Sequence, residues 1–179
     1  MSTPKRLIAF AACAMFGSVV TEAADTIKAP SLGTPMTAED VARWDITIFP
    51  DGRGLPAGHG TAVEGKAVYD NHCSSCHGRG GTGGTAEELV SEPIPLFDPE
   101  ASKAIGPYWP FATTLFDFTR RSMPPSAPGS LTSDEVYAVT AYLLAASKVI
   151  GETDEMTATS LPKVKMPNRD GFTWIDAKP

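Results

Sequence analysis

The sequence predicts a helical fold. Two segments carry start signals followed by helical periodicity, and no strand–helix–strand pattern is visible. In chain order, residues 24–60 read as an extended leader broken by Pro30, Pro35, Pro50 and Pro56 and by several glycines. One short helical turn at Thr37–Trp44 interrupts it. Trp44, Ile46, Ile48 and Phe49 are too apolar for a free tail and are expected to lie across the main domain. The first strong helix spans 61–77. Thr61 and Glu64 have capping-box spacing, and Gly65, Val68, Tyr69 and His72 follow on one face. The run from Gly78 to Gly84 ends it and is expected to let the backbone pass where side chains would clash. A second helical segment, Phe111 to Arg121, places Leu115, Phe118 and Phe111 together. A third begins at Thr132, with Glu135 in the box position, and runs to about Ser147 before Gly151 closes it. Residues 151–179 read as an extended tail, so the core domain is expected over 61–150.

Inside this frame one motif carries chemistry: Cys73-Ser74-Ser75-Cys76-His77. Two thiols three residues apart with a histidine directly after form the attachment pattern of a c-type haem. The sulfurs of Cys73 and Cys76 suit the spacing of the two haem vinyl groups, and His77 is then held close enough to ligate iron. A thioredoxin-like dithiol would need a βαβ setting. A zinc site would need further ligands that His59 and His72 do not supply. For the second axial ligand the candidates are Met36, Met123, Met156, Met166, His59 and His72. Met123 is favoured, because Pro124 and Pro125 stiffen its loop and can hold a weak thioether at low entropic cost. Its bland alternative is a core methionine. His72 adjoins Cys73 too closely to reach the other haem face, and His59 lies in a glycine-rich stretch. Trp109 and Tyr108 are candidates to pack beside the haem or bond a propionate. Arg120 and Arg121 either pair with a propionate or form a solvated helix face, and the sequence leaves both open.

The first residues have a separate logic. Lys5 and Arg6 precede an apolar run from Leu7 to Val20, then Thr21-Glu22-Ala23-Ala24. That is the layout of a secretory signal peptide over 1–23, cut near Ala23 or Ala24. The run is shorter than the roughly 20 residues a spanning helix needs, and no longer one follows, so no membrane span is expected. A lipid-modified Cys13 is the rival reading, but Phe10-Ala11-Ala12 fits it poorly. Export suits the thiols, since covalent haem attachment takes place outside the bacterial cytoplasm, and a periplasmic location follows. The net charge of −6 argues against nucleic acid or an anionic membrane as partner. No acid–base or nucleophile arrangement stands apart from the haem motif, so electron transfer is expected rather than catalysis by this chain. A haem-based ligand sensor would need an open iron site.

The order helix, CxxCH, loop, Met, helix over residues 61–150 resembles class I cytochromes c. Gly65 and Tyr69 against Tyr142 match that family's helix crossing. The resemblance implies an all-α fold wrapped round one covalent haem c. More narrowly, Ile105–Asp117, Arg120–Pro124, Ala127–Thr132 and the tail Leu161–Phe172 are similar to SoxD-type cytochrome subunits of sulfur-oxidising dehydrogenases. That likeness implies a molybdenum-cofactor dehydrogenase subunit as electron donor and a downstream cytochrome or oxidase as acceptor. Some members carry two haem domains, whereas this chain has one CxxCH. A related sulfite dehydrogenase, or a free soluble shuttle, therefore remains an alternative setting.

Overall fold

The computed structural model describes residues 32–92 and 101–173. The segment read as a signal peptide, with Cys13, lies outside the described residues. The described residues from Thr37 onward form one compact unit. Its first element is α1 (Ala38–Trp44), closed by a capping box between Thr37 and Asp40. Strand β1 (His59–Thr61) leads without a loop into α2 (Ala62–His72). A short α3 (Ser74–His77) and a 3₁₀ turn (Arg79–Gly81) follow. Beyond them lie α4 (Ile105–Tyr108), α5 (Ala112–Ser122) and α6 (Ser133–Ala146). Strand β2 (Glu155–Thr157) and a second 3₁₀ turn (Leu161–Lys163) complete the order.

Helix α6 is the axis of the core. Thr132 accepts from the Glu135 amide while the Glu135 carboxylate takes the Thr132 amide, so the helix starts where the sequence expects. Residues 136–141, 143 and 144 are all buried, because neighbours surround α6 on several sides. Helix α2 crosses it at Gly65. A Cβ there would run into the Ala138 carbonyl and come within 2.9 Å of Tyr142 Cβ. The Tyr69 and Tyr142 rings then pack with centroids 5.0 Å apart. This is the close approach that Gly65, Tyr69 and Tyr142 suggest in the sequence.

Several expectations are corrected. The helix read as continuous over 61–77 breaks at Cys73 (φ −122°), and His72 ends α2 exposed. In α5 the buried stripe is Ala112, Leu115, Phe116 and Thr119, the i, i+3, i+4, i+7 set. Phe118 falls outside that stripe and is 46% exposed, whereas Phe116 is fully buried. Of Trp44, Ile46, Ile48 and Phe49, only Ile48 joins the buried core, and Trp44 stays 80% exposed. Gly151 does not close α6. Lys148 takes the left-handed conformation (φ 59°), with amides of Lys148 and Val149 bonding to the Ala145 and Leu144 carbonyls. These bonds satisfy the helix-end carbonyls, which offsets the strain of a non-glycine residue there.

Leader and tail also pair as strands, although both read as irregular. β1 and β2 are antiparallel, with His59 opposite Thr157, Gly60 opposite Met156 and Thr61 opposite Glu155. Three-residue strands are too short to show period-two patterning. Their placement depends on Gly60, where a Cβ would clash with the Ala138 backbone on α6. Met156 is buried in the core there.

Two tyrosines tie these layers together. Tyr69 Oη donates to the Gly78 carbonyl at 2.9 Å, and Tyr137 Oη to the Pro56 carbonyl at 2.9 Å. Burial pushes both phenols up to about 12. Their neutral forms therefore contribute stability in full below the ordinary phenol value of about 10, and it is lost as pH climbs through about 12. Denaturation midpoints should hold steady to about pH 10 and then fall, and Tyr69→Phe should make that fall shallower. At the crossing, Gly65→Ala raises helix propensity yet should destabilise by about 1–3 kcal/mol through overpacking, read from chemical denaturation.

Candidate haem site

The break in α2 at Cys73 has a consequence. It turns Cys73, Cys76 and His77 onto one cavity of about 320 Å³. Val139 and Leu143 of α6 line it, as do Ile105, Trp109, Leu115 and Phe118 from the α4–α5 region. Met123, Pro124 and Pro125 line it as well, just past the end of α5. The walls are mostly hydrocarbon, with two thiols, the His72 and His77 imidazoles and one thioether among them. That donor set in an apolar slot fits a porphyrin bound through sulfur and ligated by nitrogen. Among the described residues, no three His, Cys, Asp or Glu side chains gather as a metal cluster.

The loop after α3 fixes the histidine. His77 Nδ1 lies 2.7 Å from the Glu87 carbonyl oxygen, which can only accept. Nδ1 therefore carries the proton and Nε2 keeps its lone pair, the form suited to ligating a metal. Glu87 is held because the Ala86 amide bonds to the Cys76 carbonyl at 2.9 Å, and the Leu89 and Val90 amides bond to Gly81. The glycine run makes its close approaches within this loop. Gly78 (φ 74°) turns where a Cβ would clash with the Gly83 carbonyl, and Gly84 packs on the Cys76 carbonyl.

Cys73 is half-buried and Cys76 exposed. Burial first, then the neighbouring Cys76, pushes the Cys73 thiol up to about 11, so near neutral pH it is a thiol rather than a thiolate. Of the methionines, Met156 and Met166 are buried in the core and Met36 is exposed, whereas Met123 faces the same cavity as His77. His59 is exposed, with its amide bonded to Asp134. His72 lines the cavity from its exposed position at the end of α2.

The remaining candidates separate. Trp109 lines the cavity and meets Phe118 edge to face, with centroids 6.0 Å apart. Arg120 and Arg121 do not line it. Arg121 Nε bonds to Asp117 at 2.8 Å, and Arg120 sits half-buried on α5. Tyr108 also lies off the cavity, and its carbonyl accepts from Asn168 Nδ2 at 2.5 Å. Asn168 is buried, and Arg169 stacks on the Phe111 ring at 4.3 Å. The tail thus braces the segment that presents Trp109. Residue-level reading missed this brace and the Glu87 carbonyl. The first had a signal in the tail motif, while the second is a backbone atom that side-chain identity does not reveal.

Residues 60–143 match the family model described as cytochrome c oxidase, cbb3-type, subunit III. The crystal structure of the sulfane dehydrogenase SoxCD from Paracoccus pantotrophus contains a chain that is 34% identical, with a TM-score of 0.76. The match covers 82% of this chain and 73% of that one. No curated protein sequence matches the chain. With this fold, this cavity and this degree of identity, the chain belongs to the SoxD-type cytochromes c, all-α class I cytochromes that carry a covalent haem c.

Proposed function

We propose that this chain is a periplasmic electron-transfer subunit. It takes electrons from a molybdenum-cofactor dehydrogenase acting on sulfane sulfur and passes them to a downstream cytochrome or oxidase. The cavity that gathers Cys73, Cys76, His77 and Met123 is the observation that carries the reading. Cys73 and Cys76 would hold the haem as thioethers, and His77 and Met123 would be the protein's ligands to its iron. The haem supplies a one-electron ferrous–ferric couple, and imidazole–thioether ligation sets it higher than two imidazoles would.

What the chain does follows from its walls. The Glu87 carbonyl keeps the Nδ1 proton and orients His77. Val139, Leu143, Leu115 and Ile105 exclude water, which disfavours the more charged ferric form and further raises the potential. The prolines after Met123 keep the thioether in place, so that neither oxygen nor substrate finds an open site. Residues 1–23 direct export and are removed near Ala23 or Ala24. Residues 61–150 form the haem domain, with 24–60 and 151–179 as its flanks. No helix among the described residues is long and apolar enough to cross a membrane. The 34% identity to a chain of the SoxCD complex supports the choice of donor over a free shuttle.

Two measurements check this. Native protein should show the far-red thioether–iron band, and Met123→Ala should abolish it, lower the potential and let the reduced protein bind carbon monoxide. An unchanged band would remove Met123 from the iron. Extraction of the periplasm should co-purify the chain with a molybdenum-containing subunit that reduces its haem when given its sulfur substrate. A monomer that accepts no electrons from such an enzyme would contradict the assignment.

A further inference from the structure

The cations of this acidic chain are unevenly committed. Arg43, Arg53, Lys66, Arg121 and Lys148 each have a carboxylate within 4.0 Å. Lys163, Lys165 and Arg169 have none among the described residues, nor do Arg79, Lys103 and Arg120, but the three tail cations line one surface groove of about 440 Å³. Asp170 is the single acid on its wall. On a protein of net charge −6, three cations within seven residues make a local positive field against a negative background.

The groove is built rather than trailing. Leu161 and Met166 are buried beneath it, and the 3₁₀ turn at Leu161–Lys163 is closed by the Val164 amide bonding to the Leu161 carbonyl at 3.2 Å. Asn168 pins it to Tyr108, and Arg169 lies over Phe111. Trp109, between those two anchors, lines the haem cavity. Phe172, three residues after Arg169 in the same tail, is 51% exposed and packs edge to face on Tyr108 at 5.4 Å. Cations and an exposed aromatic on one anchored tail have the composition of a protein-docking patch. The chain's overall negative charge repels extended polyanions, which leaves a compact acidic protein face as the fitting partner.

We propose that the Lys163–Lys165–Arg169 groove is the docking surface for an acidic face of the electron-donating dehydrogenase subunit. This rests on the donor assignment above and goes further by locating the contact. A partner seated there lies against the tail that braces the segment carrying Trp109. Salt bridges formed on docking would be rim contacts, acting mainly on encounter rate and salt dependence.

The test uses the full haem-loaded chain and the purified dehydrogenase subunit. In Lys163→Glu/Lys165→Glu the two substituted side chains make no hydrogen bond among the described residues, so the fold should stand. At low salt its affinity for the dehydrogenase should fall about tenfold or more, with a shallower salt dependence and an unchanged haem spectrum and potential. Lys66→Glu/Lys103→Glu, with cations elsewhere, should bind as the unmodified chain does. Carbodiimide, which joins lysine to carboxylate only in direct contact, should link Lys163 or Lys165 to the dehydrogenase. Wild-type affinity in the tail variant, or cross-links arising only from other lysines, would overturn the proposal while leaving the donor assignment intact. So would a variant that loses binding to anionic lipid vesicles but keeps the dehydrogenase. An unmodified chain that the dehydrogenase neither binds nor reduces would overturn both.

Discussion

Everything in this structure depends on how closely α2 and α6 approach at Gly65. With no side chain at that position the two backbones touch, and the Ala138 carbonyl occupies the space a Cβ would need. The approach fixes where α2 ends, and therefore where Cys73, Cys76 and His77 stand relative to Val139 and Leu143 on the facing helix. The Tyr69–Tyr142 ring pair fills the next turn of the crossing, and Tyr69 then reaches the loop beyond the motif through Gly78. One small residue thus sets the width of the cavity and the position of its reactive end. Gly60 allows a second close approach, of β1 to Ala138 on the same helix.

The cavity's chemistry is restrictive. Mostly hydrocarbon walls, a His77 imidazole with one committed nitrogen and a thioether behind prolines suit enclosing a porphyrin better than general acid–base work. With His77 and Met123 as the proposed iron ligands, the site favours moving an electron over making or breaking bonds, because a closed coordination sphere reorganises little between oxidation states. The flanks outside the haem domain serve another purpose. They pair with each other through β1 and β2, lie on α6 and brace the segment that carries Trp109. The described parts of these flanks from Thr37 to residue 173 thus belong to the same compact unit as the helices.

Much of this was legible in the residues themselves. Thr61–Glu64 and Thr132–Glu135 announce two helix starts because capping is a local interaction between side chain and backbone. The haem motif is legible for a similar reason, since its spacing answers to the cofactor rather than to the fold. What escaped the sequence was tertiary in origin. The interruption at Cys73 and the left-handed Lys148 are settled by long-range packing and helix-end bonding that no propensity encodes. Phe118 and Phe116 look alike in sequence, and only the geometry of α5 sends one to the cavity and the other to the core. The short strands fall below any periodic signal, and Arg121 is drawn off by Asp117, one turn earlier on its own helix.

The account stands on an iron held between His77 and Met123, and near-infrared magnetic circular dichroism of the oxidised protein addresses that most directly. The charge-transfer band in that region distinguishes an imidazole–thioether pair from two imidazoles and from high-spin iron with an open position. An imidazole–thioether band is the predicted result. A two-imidazole or high-spin spectrum from correctly matured protein would contradict the account.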